Sequence, residues 1–325
     1  MSSQEAGLRL LTLNVNGLGS PAKVATLMRF LETVGGRPHV VCLQEVKLAD
    51  AGELESLLSS AAGAAMPFRG KLYYNAGSDH SRGVAILVCD DRFLSDLPDA
   101  PSAVDPEGRI IRVDCTCMHH PVSIVSVYAP TEQACRAPFF QSIQSYLPAG
   151  RVALLGGDWN CVLSGHLDQS SQGTSRLAGS GSLTQLMADV SLTDAFRERH
   201  PNMREYTHVC TSQQSAARLD RWLLSRVCAS WLQSVRHVAG SPGDHDGVIM
   251  HLAVPRLPIF GPGKWGFPVH ILHDPEWLTR LETEVAGWCD SRLLLLEPAP
   301  RWRALKTFIL RVGTAMARQR RNLTQ

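Results

Sequence analysis

Acidic and amide side chains stand repeatedly at the ends of short apolar runs, and this placement constrains the fold more than any other feature of the chain. Asn14, Glu45 and Asp158 each end such a run, although they lie far apart in the sequence. Because strand ends meet at one edge of a sheet, the pattern predicts a single site that gathers distant carboxylates. Such a site is typical of metal-assisted phosphodiester chemistry.

The composition favours a globular enzyme. A length of 325 residues with 44% apolar content allows one large domain and an appendage. No apolar stretch approaches the roughly 20 residues of a membrane span, and the polar start lacks a signal-peptide pattern. Nine cysteines without a CxxC pair favour a reducing compartment. Because no stretch of the sequence is apolar over the length of a membrane span, we expect no membrane partner.

The apolar runs predict an alternation of strands and helices. Runs rich in Val, Ile and Leu predict strands at 8–15, 40–43, 83–89, 110–117, 122–128, 152–155, 219–225 and 248–254. Helices are predicted at 21–34, where Pro21 fits the first turn, and at 52–60, 137–147 and 181–190. This number of strands favours two sheets over one.

Prolines and glycines between residues 254 and 266 indicate a domain boundary. We expect a catalytic domain at 1–254 and an extension at 255–325, which begins with this linker. Asp274 and Pro275 open one expected helix, and a basic helix is expected from Arg301 to about residue 320. Residues 298–325 contain seven basic residues and no acidic one. This pattern favours either a solvated helix face or contact with RNA or DNA phosphates.

Two carboxylates are candidates for metal and water chemistry. Glu45 ends a predicted strand, and Mg²⁺ takes one or two protein carboxylates. Gly156 and Gly157 would let the chain turn sharply, and a spacing of two puts Asp158 and Asn160 on one side. Asp158 would then orient or deprotonate a water while Asn160 holds the scissile phosphate. A strand-terminal charge and a plain β-turn are the respective alternatives.

Asp244 and His245 follow a loop at 241–243 and precede a predicted strand. A histidine held by a second carboxylate stays protonated and stabilises negative charge on a phosphate. Asp220 is the natural second carboxylate. Taken as isolated residues, all three are more typical of surface charges.

Six segments, taken in order, resemble the motif series of the endonuclease/exonuclease/phosphatase superfamily, to which DNase I and the exonuclease III-type abasic-site endonucleases belong. They are Leu13-Asn14-Val15-Asn16-Gly17-Leu18, Leu43-Gln44-Glu45, Val127-Tyr128-Ala129-Pro130, Gly157-Asp158-Trp159-Asn160, Arg218-Leu219-Asp220 and Asp244-His245. The resemblance implies a DNase I-like α/β fold, a four-layer sandwich of two packed mixed sheets flanked by helices, followed by a helical C-terminal extension.

The resemblance also implies roles for individual residues. Asn14 and Glu45 would serve a metal, Mg²⁺ with Mn²⁺ as a substitute. Tyr128 would hydrogen-bond the phosphate, and Asp220 would orient His245. The residues with implied catalytic roles are Tyr128, Asp158, Asn160, Asp220, Asp244 and His245.

The C-terminal part resembles one branch of this superfamily. Residues 261–265 and 272–277 are similar to the segment that joins the endonuclease to the reverse transcriptase in LINE-type non-LTR retrotransposons, as are residues 81–87 and Tyr206-Thr207. The resemblance implies an endonuclease that nicks one strand of a double-stranded DNA target and leaves a 3′-hydroxyl to prime reverse transcription. It would act in the nucleus with the reverse transcriptase domain of the same polyprotein.

Three positions within residues 1–254 depart from the family pattern, and Val269-His270 departs from the usual asparagine-containing tail. Gly243 stands where serine is usual, Asn16 where repair enzymes have aspartate, and His208 where an aromatic residue is common. None of these replaces a residue with an implied catalytic role.

A polar, uncharged segment at 209–217 joins two predicted strands that carry site residues. A hairpin there would project toward the duplex, where its side chains would hydrogen-bond base edges or sense groove width. A plain solvent-exposed hairpin is the alternative. The candidate DNA-binding residues are Thr207, Thr211, Ser212, Gln213 and Gln214.

Two other functions remain open: an abasic-site DNA repair endonuclease, and a non-catalytic nucleic-acid-binding module that acts through its basic tail. The intact motif set argues against the module. A phosphatase is less favoured because the chain shows no inositol- or lipid-phosphate motif.

Overall fold

The chain divides into two units, residues 1–257 and 258–325. The computed structural model describes residues 7–34, 36–60, 68–76, 81–170, 175–210, 214–255, 267–292 and 298–323. The expected boundary after Val254 lies beside the division at Leu257. Within the described ranges, every helix is too short or too polar to cross a membrane.

The first unit contains two mixed β-sheets. Its strands are β1 (Leu8–Asn14), β2 (Val40–Gln44), β3 (Lys71–Asn75), β4 (Val84–Val88), β5 (Leu94–Ser95), β6 (Ala103–Val104), β7 (Ile110–Cys117), β8 (His120–Tyr128), β9 (Val152–Asp158), β10 (Leu192–Asp194), β11 (His208–Cys210), β12 (Ser215–Ala217), β13 (Asp220–Ser225), β14 (Leu232–Val238) and β15 (Gly247–Leu252). One sheet has the order β14-β15-β1-β2-β4-β3, and the other has the order β10-β13-β9-β8-β7-β5. Strand β6 pairs with β7, and β11 with β12 forms a separate hairpin.

Four of the described helices lie on the outer faces of the two sheets. They are α1 (Pro21–Thr33), α2 (Ala51–Ser59), α3 (Gln133–Ile143) and α4 (Ser180–Asp189). The short helix α5 (Ala195–Arg199) instead packs Phe196 into the apolar cluster between the sheets. Leu27 and Leu54 pack α1 and α2 on the first sheet, and Phe140 and Leu183 pack α3 and α4 on the second. A third apolar cluster, which includes Trp222, fills the space between the sheets. The predicted four-layer α/β sandwich is confirmed.

Alternate side chains of β1 point into different layers, which explains why its sequence is almost continuously apolar. Leu10 contributes to the cluster between the sheets, whereas Leu11 and Leu13 contribute to the cluster under α1. A strand that is buried on both faces reads as an unbroken apolar run. The predicted strands therefore correspond to the strands of both sheet centres.

The edge strands were missed, and the bounds of α3 differ from the prediction. Strand β14 alternates buried and exposed positions, so it lacks a continuous apolar run.

Helix α3 begins at Gln133 rather than at residue 137 and ends in a short 3₁₀ turn. Arg136 donates to the carbonyls of Pro130 and Thr131 and fixes the earlier start. Pro138 lies inside the helix, where it removes one N–H donor.

The second unit is a pair of helices, α6 (Pro275–Arg292) and α7 (Pro298–Leu323). Phe267, Leu281 and Met316 form its apolar centre, and Trp288 stacks on Phe308 at 5.6 Å between ring centroids. The apolar faces of α6 and α7 therefore pack on each other within this unit.

Candidate active site

The registers of the two parallel strand pairs bring the predicted residues to one edge. In the first sheet, β1 and β2 run parallel, so that Asn14 lies beside the residue that precedes Glu45. In the second sheet, Tyr128 lies opposite Asp158, and Asp220 lies opposite Asp158 on the other side. The sheets meet at this edge, because the Nδ2 of Asn14 donates to Asp158 at 2.9 Å.

Asn14 holds two carboxylates. Its Nδ2 donates to Glu45 Oε1 at 2.7 Å and to Asp158 Oδ2 at 2.9 Å. Its Oδ1 accepts from the backbone N–H of Asn16 at 3.0 Å. Since the nitrogen faces the carboxylates, Asn14 positions Glu45 and Asp158, whereas direct metal contact would require its oxygen.

Glu45 is paired with a lysine that the sequence reasoning did not single out. Lys47 Nζ lies 2.7 Å from Glu45 Oε2 and donates to Asn16 Oδ1 at 2.8 Å. Burial opposes ionisation of Glu45, but hydrogen bonds from Asn14 and Lys47 outweigh it and lower its pKa. Glu45 is therefore a carboxylate in a place that already attracts one cation. The position of Lys47 only two residues after Glu45 was the sequence signal that could have indicated this ion pair.

Tyr128 remains a neutral hydrogen-bond donor. Its hydroxyl bonds to Glu45, and burial followed by the charges of Glu45 and Asp158 raises its pKa far above the ordinary value. The guanidinium carbon of Arg109 lies 5.4 Å from the centre of the Tyr128 ring. Arg109 was also missed, because its approach depends on the pairing of β7 with β8.

The glycines before Asp158 do not form the predicted turn, since they lie inside β9. A Cβ on Gly157 would stand 2.1 Å from the carbonyl oxygen of Val127, and one on Gly156 would stand 2.6 Å from an indole ring. Glycine is required here by close approach of neighbouring groups. The chain turns later, at Asn160, whose φ is 45° and whose N–H donates to Asp158 Oδ1 at 2.9 Å.

Asp158, Asp220 and His245 form a buried set, in which His245 is hydrogen-bonded to Asp220 and lies close to Asp158. His245 Nδ1 lies 2.7 Å from Asp220 Oδ2, and its Nε2 lies 4.0 Å from Asp158 Oδ2. Burial and the charge of Asp220 raise the pKa of Asp158 to about 6. Burial disfavours the imidazolium, but the charges of Asp220 and Asp158 outweigh it and raise the pKa of His245 to about 10. At neutral pH the set contains a protonated imidazole between two acidic groups.

The same three residues offer possible metal-ligand atoms within 4.8 Å of one another. A protonated imidazole has two N–H groups and no lone pair for a metal, so this set suits proton chemistry better than metal binding. Oxygen ligands suit a hard divalent cation. Glu45 therefore fits a cation better than His245 does.

Backbone strain is concentrated at this edge. Asn16, Glu45, Lys47 and Asn160 have φ values of 46°, 53°, 58° and 45°. Such left-handed conformations cost on the order of 1–3 kcal/mol for residues with side chains. Their presence at the ends of β1, β2 and β9 is typical of a functional site.

Comparisons with known proteins agree with this geometry. Residues 11–245 match the model of the endonuclease/exonuclease/phosphatase family. The chain belongs to this family. It is also 27% identical over 287 residues to the transposon TX1 uncharacterized 149 kDa protein of Xenopus laevis, a match that covers 86% of this chain and 21% of that protein. Both matches agree with the resemblance predicted from the six motifs.

Several solved structures that carry nuclease names have a similar fold. The AP endonuclease of Leishmania major has a TM-score of 0.62 at 19% identity and covers 77% of this chain and 88% of its own. The AP endonuclease of Archaeoglobus fulgidus has a TM-score of 0.60 at 18% identity, with coverages of 76% and 100%. A 3′-5′ exonuclease of Neisseria meningitidis has a TM-score of 0.57 at 19% identity, with coverages of 75% and 99%. These likenesses confirm the DNase I-like fold.

The family's Asp-His pair has an exposed and a buried member here. The side chain of Asp244 is 53% exposed, whereas that of His245 is 8% exposed. Asn16 Nδ2 donates to Asp244 Oδ1 at 3.4 Å. At Gly243, where serine is usual, a Cβ would stand 3.0 Å from the carbonyl oxygen of Asn14. A serine would therefore press on the backbone that carries the site.

Thr207 does not face DNA as predicted, because its side chain is buried. Its Oγ1 accepts the backbone N–H groups of Leu219 and Asp220 at 3.0 and 3.1 Å. Its carbonyl accepts the N–H of Asp246 at 2.6 Å. This corrects the predicted role, since Thr207 positions the strand end that carries Asp220.

The predicted hairpin forms from β11 and β12, with Val209 opposite Ala216. Thr211, Ser212 and Gln213 lie outside the described residues. Gln214 is exposed and has a φ of 46°. The hairpin lies beside the catalytic edge, because the ring of His208 packs on His245 at 4.6 Å between centroids.

A second charged cluster lies behind this edge and was not predicted. Arg218 is fully buried. Its Nε donates to Asp168 at 2.9 Å, and its two terminal nitrogens donate to Asp194 at 3.2 and 2.8 Å. Burial opposes ionisation of both aspartates, but the charge of Arg218 outweighs it and lowers their pKa values. The cluster joins the hairpin base to β10 and to the loop after β9.

Proposed function

We propose that this chain is a divalent-metal-dependent endonuclease that nicks one strand of double-stranded DNA. The buried set of Asp158, Asp220 and His245 beside Glu45 supports this most strongly. It combines a proton acceptor, a fixed positive charge and a cation-attracting carboxylate at one edge. Metal-assisted phosphodiester hydrolysis uses these three functions together.

Mg²⁺ is the proposed cofactor, with Mn²⁺ as a substitute. Glu45 would hold the ion, and Asn14 would keep the Glu45 carboxylate in place. The seating of the Lys47 ammonium 2.7 Å from Glu45 supports the fit, because it shows that this carboxylate accepts a cation from the solvent side. When bound, the ion supplies positive charge to a phosphate oxygen.

The residues of the chain would divide the remaining work. Asp158 would orient a water and accept its proton, and His245, held by Asp220, would stabilise the negative charge that builds on the phosphate. The hydroxyl of Tyr128 would donate a hydrogen bond to a phosphate oxygen. Asn160 already donates one N–H to the carbonyl of Ala129 at 2.9 Å, and its second N–H would reach the phosphate. Asp244, which accepts a hydrogen bond from Asn16, would add a further carboxylate at this edge.

The bond changes determine the ends that form. The water oxygen forms a new bond to phosphorus, and the bond from phosphorus to the 3′-oxygen breaks. That oxygen takes up a proton, so one end carries a 3′-hydroxyl and the other a 5′-phosphate. The 3′-hydroxyl is the end that a polymerase extends.

We further propose that this end primes reverse transcription of a non-LTR retrotransposon in the nucleus. The similarity to a transposon-encoded protein supports this context. The reverse transcriptase domain of the same polyprotein would be the partner. Helix α7, whose sequence has seven basic residues and no acidic one from residue 298 onward, would bind RNA or DNA phosphates.

Nicking of supercoiled plasmid with Mg²⁺, Mn²⁺ or EDTA tests the proposal. Glu45→Gln and His245→Ala should each lower the nicking rate by about 10²–10³, with unchanged circular dichroism. Glu55→Gln, an exposed glutamate on α2, is the matched control and should nick normally. Direct extension of the nicked strand by a polymerase would verify the 3′-hydroxyl. Metal-independent cutting, or normal nicking by His245→Ala, would refute the assignment.

An abasic-site repair endonuclease is the alternative that the structural likeness to AP endonucleases favours. Matched oligonucleotide duplexes with and without one abasic site separate the two functions. The retrotransposon proposal expects similar rates on both. A preference for the abasic duplex by several orders of magnitude would favour repair.

A further inference from the structure

A cavity of about 560 Å³ lies beside the catalytic edge. Its walls come from Arg82, the loop at 105–110, the chain after Tyr128, and α3 with the turn that follows it. This volume falls within the roughly 300–1,000 Å³ of pockets that bind small molecules. None of the roles assigned above uses it.

Two paths of contact connect the cavity to the active site. Arg109, which lines the cavity, donates to the carbonyl of Tyr128 at 3.4 Å and places its guanidinium over the Tyr128 ring. Arg82, which also lines it, accepts the backbone N–H of Lys47 at 2.7 Å through its carbonyl oxygen. The cavity therefore adjoins both the proposed phosphate ligand and the Glu45–Lys47 segment.

The wall chemistry suits a planar, partly apolar ligand with polar edges. Phe139 and Pro106 supply apolar surface, on which a base packs well. Arg82 and Arg109 share Glu107 through contacts of 3.0 and 3.1 Å, so part of their charge is neutralised. The walls therefore do not form a strongly cationic cradle of the kind that a cluster of phosphates would need.

Helix α3 adds hydrogen-bond acceptors to the wall. Pro138 has no N–H to donate to the carbonyl of Ala134, and both residues line the cavity. The exposed carboxylate of Glu132 stands at the same end of the helix. These acceptors match the exocyclic amino groups of nucleobases.

We propose that this cavity holds one unpaired nucleotide of the DNA strand next to the cut, with its base against Phe139. The inference rests on the proposed nuclease function, because Tyr128 would fix the scissile phosphate beside the cavity. A paired base leaves the duplex at a cost of a few kcal/mol, which is smallest where it is already unpaired. The site would thus favour DNA with an unpaired nucleotide near the nick.

Cutting of duplexes with one unpaired nucleotide, placed in turn at each position around the nick, tests this inference. We expect faster cutting by about tenfold at one position, since about 1.4 kcal/mol of unstacking is no longer spent there. Cys135→Trp fills the cavity from an exposed position on α3 and should remove this advantage. Gln141→Trp, on the same helix outside the cavity, should retain it.

Alkylation of Cys135 by N-ethylmaleimide gives a readout that does not depend on cutting. Its thiol is free and exposed, so bound DNA with EDTA should slow its alkylation. A cysteine introduced on α2 by Ser56→Cys, which is exposed, should react at the same rate with and without DNA. Protection of Cys135 alone would support the inference.

Different failures have different meanings. A protein that cuts paired and unpaired substrates alike at every position would overturn the nucleotide site and leave the nuclease proposal standing. An advantage that survives Cys135→Trp would also overturn the site. A protein that cuts neither substrate, with Cys135 unprotected by DNA, would overturn both proposals.

Discussion

Two clusters of buried charge contain aspartates whose pKa values are shifted in opposite directions, although Arg218 of one cluster and Asp220 of the other are only two residues apart in the chain. In the cluster at the candidate active site, Asp158 faces Asp220 across paired strands, and the pKa of Asp158 is raised. In the cluster behind it, Asp168 and Asp194 face Arg218, and their pKa values are lowered. All of these carboxylates are buried.

The completeness of pairing explains the difference. All three nitrogens of Arg218 donate to carboxylate oxygens. Among the described residues, Asp220 Oδ1 has no hydrogen-bond partner, and the single imidazolium of His245 serves two acidic groups. In the Arg218 cluster every carboxylate oxygen of Asp168 and Asp194 accepts a hydrogen bond. Carboxylates that are fully hydrogen-bonded hold the fold together, whereas an incompletely paired carboxylate is left available for a substrate.

Loss of the Arg218 guanidinium should cause the largest change in stability. Arg218→Met would leave Asp168 and Asp194 buried without their main partner, which should lower the free energy of unfolding by about 3–5 kcal/mol. Urea denaturation measures this loss. Arg226→Met, at an exposed position, should change stability by about 0.5 kcal/mol or less. Equal losses in the two variants would contradict the structural role of the Arg218 cluster.

Removal of the Thr207 hydroxyl should affect catalysis more than folding. Thr207→Val deprives the N–H groups of Leu219 and Asp220 of their acceptor. Displacement of Asp220 should lower kcat by about tenfold and leave KM unchanged. Thr207→Ser restores the hydroxyl and should recover the rate. A change in KM alone would instead favour the original prediction that Thr207 contacts DNA.

The acid sensitivity of the Arg218 cluster should be the smallest of these effects. The folded-state pKa of Asp168 lies below the ordinary value of about 3.9. Its contribution to stability is therefore present above pH about 4 and is lost as the pH falls through the folded-state pKa. The difference in unfolding free energy between wild type and Asp168→Asn should narrow below pH about 4. A difference that stays constant between neutral pH and pH about 3 would contradict the assigned ion pairs.

The meeting of the candidate site residues at one edge was predictable from the sequence because strand periodicity places residues at strand ends. Glu45, Asp158 and Asp220 each close or open an apolar run, so their meeting follows from sheet geometry. The resemblance of the segments around them to the family motifs then implied a role for each residue. The position of Asn14 at the end of β1 followed in the same way.

The Arg218 cluster could not be predicted, because no local rule relates its partners. Arg218 is 50 residues from Asp168 and 24 from Asp194. The role of Thr207 was also hidden, since it depends on how the β11–β12 hairpin folds back on β13. Glycines 156 and 157 suggested a turn, whereas the cause of their presence is the approach of neighbouring groups. These features depend on tertiary contacts.

One matched pair of variants tests directly whether incomplete pairing marks the chemistry and complete pairing the structure. Asp158→Asn and Asp168→Asn make the same change at buried carboxylates whose pKa values shift in opposite directions. Plasmid nicking with Mg²⁺ and urea unfolding with EDTA should be measured on both. We expect Asp158→Asn to lose nicking by about 10²–10³ and to unfold no more easily than wild type. Asp168→Asn should lose about 1–3 kcal/mol of stability and nick normally when folded. Wild-type nicking by Asp158→Asn, or a greater loss of stability in it than in Asp168→Asn, would contradict the account.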